Sequence, residues 1–247
     1  MVNALGISVC LGVALLPLVG GCAARHPADA RQGALLPGSA RLAAPALGAS
    51  SSQRWRVTRR AAADTIERPF AAVTRADRPA GPRAVLTFVW EPPFDSRDSL
   101  VIVRGSLAPV AERLAFRGVT REYHYDGPRV TGRMQRPDSS WDAYDHTFDE
   151  PVFAFNEVEI LVRSLRYAPG VRLVAPLFSE VDRALEHDTL TVVGRAAPVG
   201  RDSTWVVRFA DPAIVTLYTV DPARREIVDA VTTQRQSGGV LRYRREE

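Results

Sequence analysis

The chain has 247 residues, enough for one well-buried domain or two small ones. All 32 of its basic residues are arginine, which excludes a P-loop lysine, a Schiff-base lysine and a Ser-Lys dyad. The net charge of +4 is uneven: residues 22 to 83 hold 11 Arg and 4 acids, whereas residues 84 to 247 hold 21 Arg and 24 acids.

Residues 1 to 21 carry no charged side chain, and Ile7 to Val19 is almost wholly apolar. A bilayer-spanning helix needs ~20 apolar residues, so this run is too short to be one. It has the form of the apolar middle of a secretory signal peptide. Val19, Gly20, Gly21 and Cys22 follow. This resembles the lipobox of bacterial lipoproteins, which implies cleavage before Cys22 and lipidation of its sulfur. Ala23 rather than Asp comes next, which by the same resemblance implies the outer membrane, facing the periplasm. Cys10 would leave with the signal peptide, so no internal disulfide or cysteine metal site is expected.

Residues 22 to 52 are rich in Ala, Gly, Pro and Ser without a sustained period and read as a flexible tether. The positive excess is assigned to this tether, so nucleic acid is not an expected partner. Residues 53 to 247 read as one β-rich domain. Trp55 to Ala80 is ambiguous, with Trp55, Val57 and Ile66 hinting at a docking strand or a short helix.

From Val85 the pattern is mainly β. Val85 to Trp90 and Leu100 to Val103 read as strands. "REYHYDGPRVTGRM" is a strand, a turn at Asp126-Gly127-Pro128 and a second strand. Its alternation puts Tyr123 and Tyr125 on one face and His124 on the other. Later strands are Thr189 to Val193, Thr204 to Phe209, Ile214 to Val220, Arg225 to Thr232 and Val240 to Arg244, separated by Gly, Asp-Pro and Ser-Gly-Gly turns. Such spacing predicts an antiparallel meander.

One segment has a different period. Val152, Phe155, Val158, Leu161, Val162 and Leu165 recur at three- and four-residue steps, with Asn156, Glu157, Glu159, Arg163 and Arg166 between them. This predicts an amphipathic helix over 151–166, capped by Asp149 or Glu150 and ended by Pro169-Gly170. A lone helix stripe and a long sheet bury each other's apolar faces. The expected fold class is therefore mainly β (α+β): a curved antiparallel sheet or incomplete β-barrel wrapped around one amphipathic helix.

The blocks "SLAPVAERLAFRG", "YHYDGPRVTGR", "FNEVEILVRSLRYAPG" and "WVVRFADPAIVTLYTVDPARREIV" resemble an uncharacterised family of secreted bacterial domains. That family is similar in shape to the lipoprotein carriers LolA and LolB. The resemblance covers about residues 85 to 245 and carries no catalytic motif. It implies an apolar cavity able to hold acyl chains, although a shared fold does not dictate a shared function.

Candidate chemistry is sparse. "PDSSWDAYDHTFDEP" holds Asp138, Asp142, Asp145, His146, Asp149 and Glu150, but in no calcium-loop order. It reads as a solvated loop whose last acids cap the helix. His26, His124, His146 and His187 are scattered without zinc spacing. No Gly-x-Ser-x-Gly or Gly-x-Gly-x-x-Gly occurs. No metal, no cofactor and no enzyme activity are expected. Tyr123, Tyr125, Trp205, Phe209 and Tyr218, with Phe155, Val158 and Leu165 of the helix, are candidates for lining a ligand cavity or for forming an ordinary core. Two roles stay open: a carrier of an apolar, lipid-like ligand, and an assembly lipoprotein that offers a sheet edge to an envelope protein.

Overall fold

The computed structural model describes residues 32–43, 47, 50–136, 138–196 and 203–246. Cys22 and the segment read as a signal peptide lie outside the described residues. The fold is mainly β, with one short helix packed against a single large sheet.

Two antiparallel meanders make up most of the sheet. The first runs through β2 (Ser51–Arg60), β3 (Arg68–Ala80), β4 (Arg83–Trp90), β5 (Ser96–Val103), β6 (Pro109–Phe116), β7 (Val119–Asp126), β8 (Arg129–Gln135) and β9 (Trp141–Thr147). The second runs through β11 (Arg172–Ser179), β12 (Ala184–Arg195), β13 (Trp205–Ala210), β14 (Ile214–Asp221), β15 (Glu226–Gln234) and β16 (Val240–Arg245). They join where β16 pairs antiparallel with β2, with Tyr243 opposite Val57. Two short strands, β1 (Gln32–Ala34) and β10 (Phe153–Ala154), both add to β11 in parallel, at different parts of it.

Sequence alternation sets the register. Trp55 and Val57 on β2, Val73 on β3, Ala84 and Leu86 on β4, and Leu100 and Ile102 on β5 all lie on the buried face. A period of two puts such residues on one side of the pleat. The Asp126–Arg129 pair closes the expected tight turn, where Gly127 takes the left-handed backbone (φ 60°) that favours glycine. Gly132 sits opposite Tyr123, and a β-carbon there would collide with the Glu122 carbonyl and the Tyr123 ring. That position therefore has room only for hydrogen.

Several expectations need correction. The tether is not free throughout residues 22 to 52: β1 falls inside it, and Leu35 and Leu47 are buried. Burial of these leucines together with backbone pairing of β1 to β11 offsets the chain freedom lost there. The positive charge is not confined to the tether either, since eight arginines from Arg54 to Arg83 sit on β2, β3 and β4. The ambiguous segment Trp55 to Ala80 holds two long strands. The acidic stretch read as a solvated loop contains β9, an edge strand whose side chains are largely exposed.

The helix is shorter than 151–166. Phe153 and Ala154 pair with β11, residues Phe155–Glu157 form one 3₁₀ turn, and α1 spans Val158–Ser164. Neither Asp149 nor Glu150 caps it. Instead the Ala154 N–H donates to Glu157 Oε2 at 2.8 Å, and Glu150 pairs with His187 at 2.6 Å. Most of the polar side of the helix is not solvated. Glu157, Arg163 and Ser164 are buried along with Ile160, Leu161 and Val162, and in α1 only Glu159 is partly exposed. Leu165 lies just past the helix, bridged to Leu42. Among the described residues no helix is long and apolar enough to cross a membrane.

Candidate ligand-binding site

The helix is fixed to the sheet by charge as well as by apolar contact. Arg163 donates to Asp77 on β3 at 2.8 Å and to the Arg225 carbonyl at 2.7 Å. Arg75, two residues before Asp77 on the same buried face, pairs with Glu159 of α1 and approaches Asp77 at 3.5 Å. Burial works to raise the Asp77 carboxyl, but Arg75 and Arg163 together overcome it and hold it below its ordinary value. These two arginines and two acids neutralise one another, which is the condition for keeping charge inside a fold.

A cavity of about 260 Å³ opens beside this network. Its walls are mostly apolar and aromatic: Trp55 and Tyr243 at the β2–β16 junction, Val73 on β3, Phe88 and Trp90 on β4, Tyr218 on β14, and Ile214, Ile227, Ala230 and Leu241 around them. Polar groups are few. Arg75 and Glu159 stand at one side, and Thr216 and Thr232 share a hydroxyl–hydroxyl hydrogen bond of 2.9 Å. Burial raises the Tyr218 and Tyr243 phenols, the latter to about 12, so both are neutral. Residues from both meanders and from the helix meet here, so the cavity exists only once the sheet is joined.

A second cavity of about 210 Å³ adjoins it and shares Phe88, Trp90, Glu159 and Tyr218. Phe155, Asn156 and Val158 also line it, together with Asp98 on β5 and Glu180 after β11. Burial, then Glu112 and Glu180, push the Asp98 carboxyl up to about 9. Burial, then Glu112, push Glu180 up to about 8. Glu112 is raised by burial too, and accepts hydrogen bonds from Tyr125 Oη at 2.6 Å and Asn156 Nδ2 at 2.7 Å.

The eight apolar candidates divide between cavity and core. Tyr218 lines both cavities, and Phe155 and Val158 line the second. Phe209 is buried against Phe155 at 6.1 Å, and Leu165 is core. Trp205 stacks on Tyr167 at 6.0 Å. Tyr123 and Tyr125 pack on Phe178, with ring centroids 5.1 and 6.0 Å away, and Tyr123 donates to the Glu180 carbonyl. Sequence reasoning missed Trp55, Arg75, Asp98, Trp90 and Tyr243. A usable signal existed: Arg75 and Asp77 follow Val73 at alternate positions, and Asp98 precedes Leu100 and Ile102 in the same way. A charge in phase with buried residues marks a charge that faces inward.

The chain matches no model of a known protein family and no curated protein sequence.

Proposed function

We propose that this chain is a lipid-anchored binding or carrier protein of the bacterial envelope that takes an apolar, lipid-like ligand. In this reading the sheet curls as an incomplete β-barrel about α1, and the ligand lies between them. The observation that carries the proposal is the apolar, aromatic-walled cavity with few polar groups, the usual make-up of a small-molecule site. The curl is supported by contacts between distant parts of the pairing order. Phe178 on β11 packs on Tyr123, Tyr125 and Tyr144, and Arg183 reaches Asp142 on β9 at 2.9 Å. The same reading takes up the resemblance of residues 85 to 245 to a family of LolA- and LolB-like shape. The anchor is Cys22 and the place is the outer membrane, both proposed from the resemblance of residues 19 to 23 to a lipobox.

An apolar chain entering the cavity leaves water at ~0.8 kcal/mol per buried CH₂. Binding then stabilises the fold by mass action. The test uses the Cys22→Ser chain, stripped of bound lipid, and a series of straight-chain alcohols from hexanol to tetradecanol. The melting midpoint is expected to rise with chain length and then level off as the cavity fills. A flat response at every length sinks the carrier reading. In cells, Cys22→Ser is expected to leave the membrane fraction; retention there with palmitate labelling would remove Cys22 as the anchor.

A second reading has its own observation. Among the described residues β9 pairs only with β8, and Trp141 on it is 42% exposed, so this edge is a candidate for strand addition by a protein partner. If no alcohol binds, this assembly role leads.

A further inference from the structure

The two adjoining cavities differ in charge. Beside the first, Arg75, Arg163, Asp77 and Glu159 cancel. The second is lined by Asp98 and Glu180, which are only 5% and 6% exposed. Neither Asp98 oxygen has a hydrogen-bond partner, and Glu180 Oε2 has none. Buried carboxyl groups without partners are costly, and native folds keep few of them. A cavity wall made of such groups is satisfied by what enters the cavity.

We infer that the second cavity receives the cationic head of the ligand whose apolar body fills the first, so that the ligand is an amphipathic organic cation, an alkylammonium. This rests on the carrier reading above. The rings of Phe88, Trp90, Phe155 and Tyr218 line the same space, and aromatic faces attract cations. A metal ion fits less well: among the described residues no three His, Cys, Asp or Glu side chains converge to hold one. An anionic head would have to seek Arg75, whose Nε and Nη2 lack hydrogen-bond partners but whose single charge Glu159 and Asp77 already outweigh.

Proton affinity adds an independent readout. Burial and mutual repulsion raise Asp98 and Glu180 enough that both carry protons at neutral pH. The groups that act on this pair are Glu112 from β6, the Ser99 backbone beside Asp98, Arg121 from β7 and Asn156 ahead of the helix, and Glu159 lines the same cavity. Of these only Arg121 is cationic, and it does not hydrogen-bond either carboxyl through its unpartnered Nε. An ammonium head therefore takes over the neutralising role of a proton, and its binding releases protons.

The experiment titrates the full-length Cys22→Ser chain at neutral pH with dodecanol, dodecylamine and dodecanoate, each below its micelle concentration. The amine is expected to bind at least tenfold tighter than the alcohol, and dodecanoate more weakly than either. In Asp98→Asn/Glu180→Gln the ratio of amine to alcohol affinity should fall to near one. Repeating the amine titration of the unsubstituted pair in buffers of different ionisation enthalpy should show net proton release, which needs no folded variant. Equal affinities for amine and alcohol would overturn the cationic head while leaving the carrier reading in place. Tightest binding of dodecanoate, a preference that survives the double substitution, or amine binding without proton release would each overturn it as well. If no compound binds, the carrier reading fails, and this inference with it.

Discussion

At the scale of single residues, Asp98 is a position where the fold departs far from what its chemistry prefers. Free carboxyl groups titrate near ~4. Folding raises Asp98 to about 9 and Glu180 to about 8, so between those limits the folded chain binds more protons than the unfolded one. Their contribution is fully present below the unfolded value and is lost as pH rises through about 8 to 9. Asp77 has the opposite sign: its lowered value gives stability that is present above the ordinary carboxylate range and lost as pH falls below it. The melting midpoint should therefore decline from mildly acidic to alkaline pH. Asp98→Asn should flatten that decline and melt higher than the parent at the alkaline end by about 2–4 °C, the shift that ~1 kcal/mol makes in a domain of this size. A parent profile that is flat over this range would show that Asp98 keeps an ordinary proton affinity. The sequence makes Asp98 conspicuous only in hindsight. It stands in phase with Leu100 and Ile102, but nothing local says that Glu112 on β6 and Glu180 just past β11 will crowd it.

At the scale of elements, α1 shows what periodicity can and cannot convey. Apolar residues at three- and four-residue steps located a helix correctly, because that spacing fills one face of a 3.6-residue repeat. It starts later than the spacing implies because Phe153 and Ala154 find backbone partners on β11, a choice decided by tertiary pairing. The spacing does not reveal that its polar residues face inward, because their partners, Arg75 and Asp77, lie some 80 residues upstream. The strands divide in the same way. β4, β7, β8 and β12 to β16 were legible from β-branched and aromatic runs with turn residues between them. β2 and β3 were obscured by arginines that occupy the outer positions of the same alternation, as in "RWRVTRR", and β9 by its acids. The buried ion pairs yield a sharp contrast. Arg163→Ala leaves the Asp77 charge without its main hydrogen-bond donor and should cost ~3–5 kcal/mol in urea unfolding. Asp145→Ala removes an exposed pair with Arg129 and should cost less than ~1 kcal/mol. Equal costs would mean that the helix is held by apolar contact alone.

At the scale of the molecule, the β16–β2 ladder decides whether there are two sheets or one. Every strand of the first meander pairs with its neighbour in sequence, as does every strand from β11 to β16, so each half could in principle assemble from local hairpins. The cavity cannot, because Trp55, Trp90 and Glu159 reach it from one side of the junction or the helix, and Tyr218 and Tyr243 from the other. Arg242→Pro removes a backbone donor from a strand flanked on both sides, a position where proline is not tolerated. Hydrogen exchange on this variant should show protection falling together in β4–β6 and in β12–β14. Undiminished protection in β4–β6 would make the two meanders independent units. The same ladder bears on how the chain is made. β2 is synthesised well before its partner β16, with β3 to β15 between them. Until β16 is made, the growing chain carries a ten-residue strand with one side unpaired and two apolar residues, Trp55 and Val57, uncovered. Such an edge invites pairing with other chains. Arg54, Arg56, Arg59 and Arg60 put like charge along this edge, which opposes pairing between two copies of β2 until β16 takes the place.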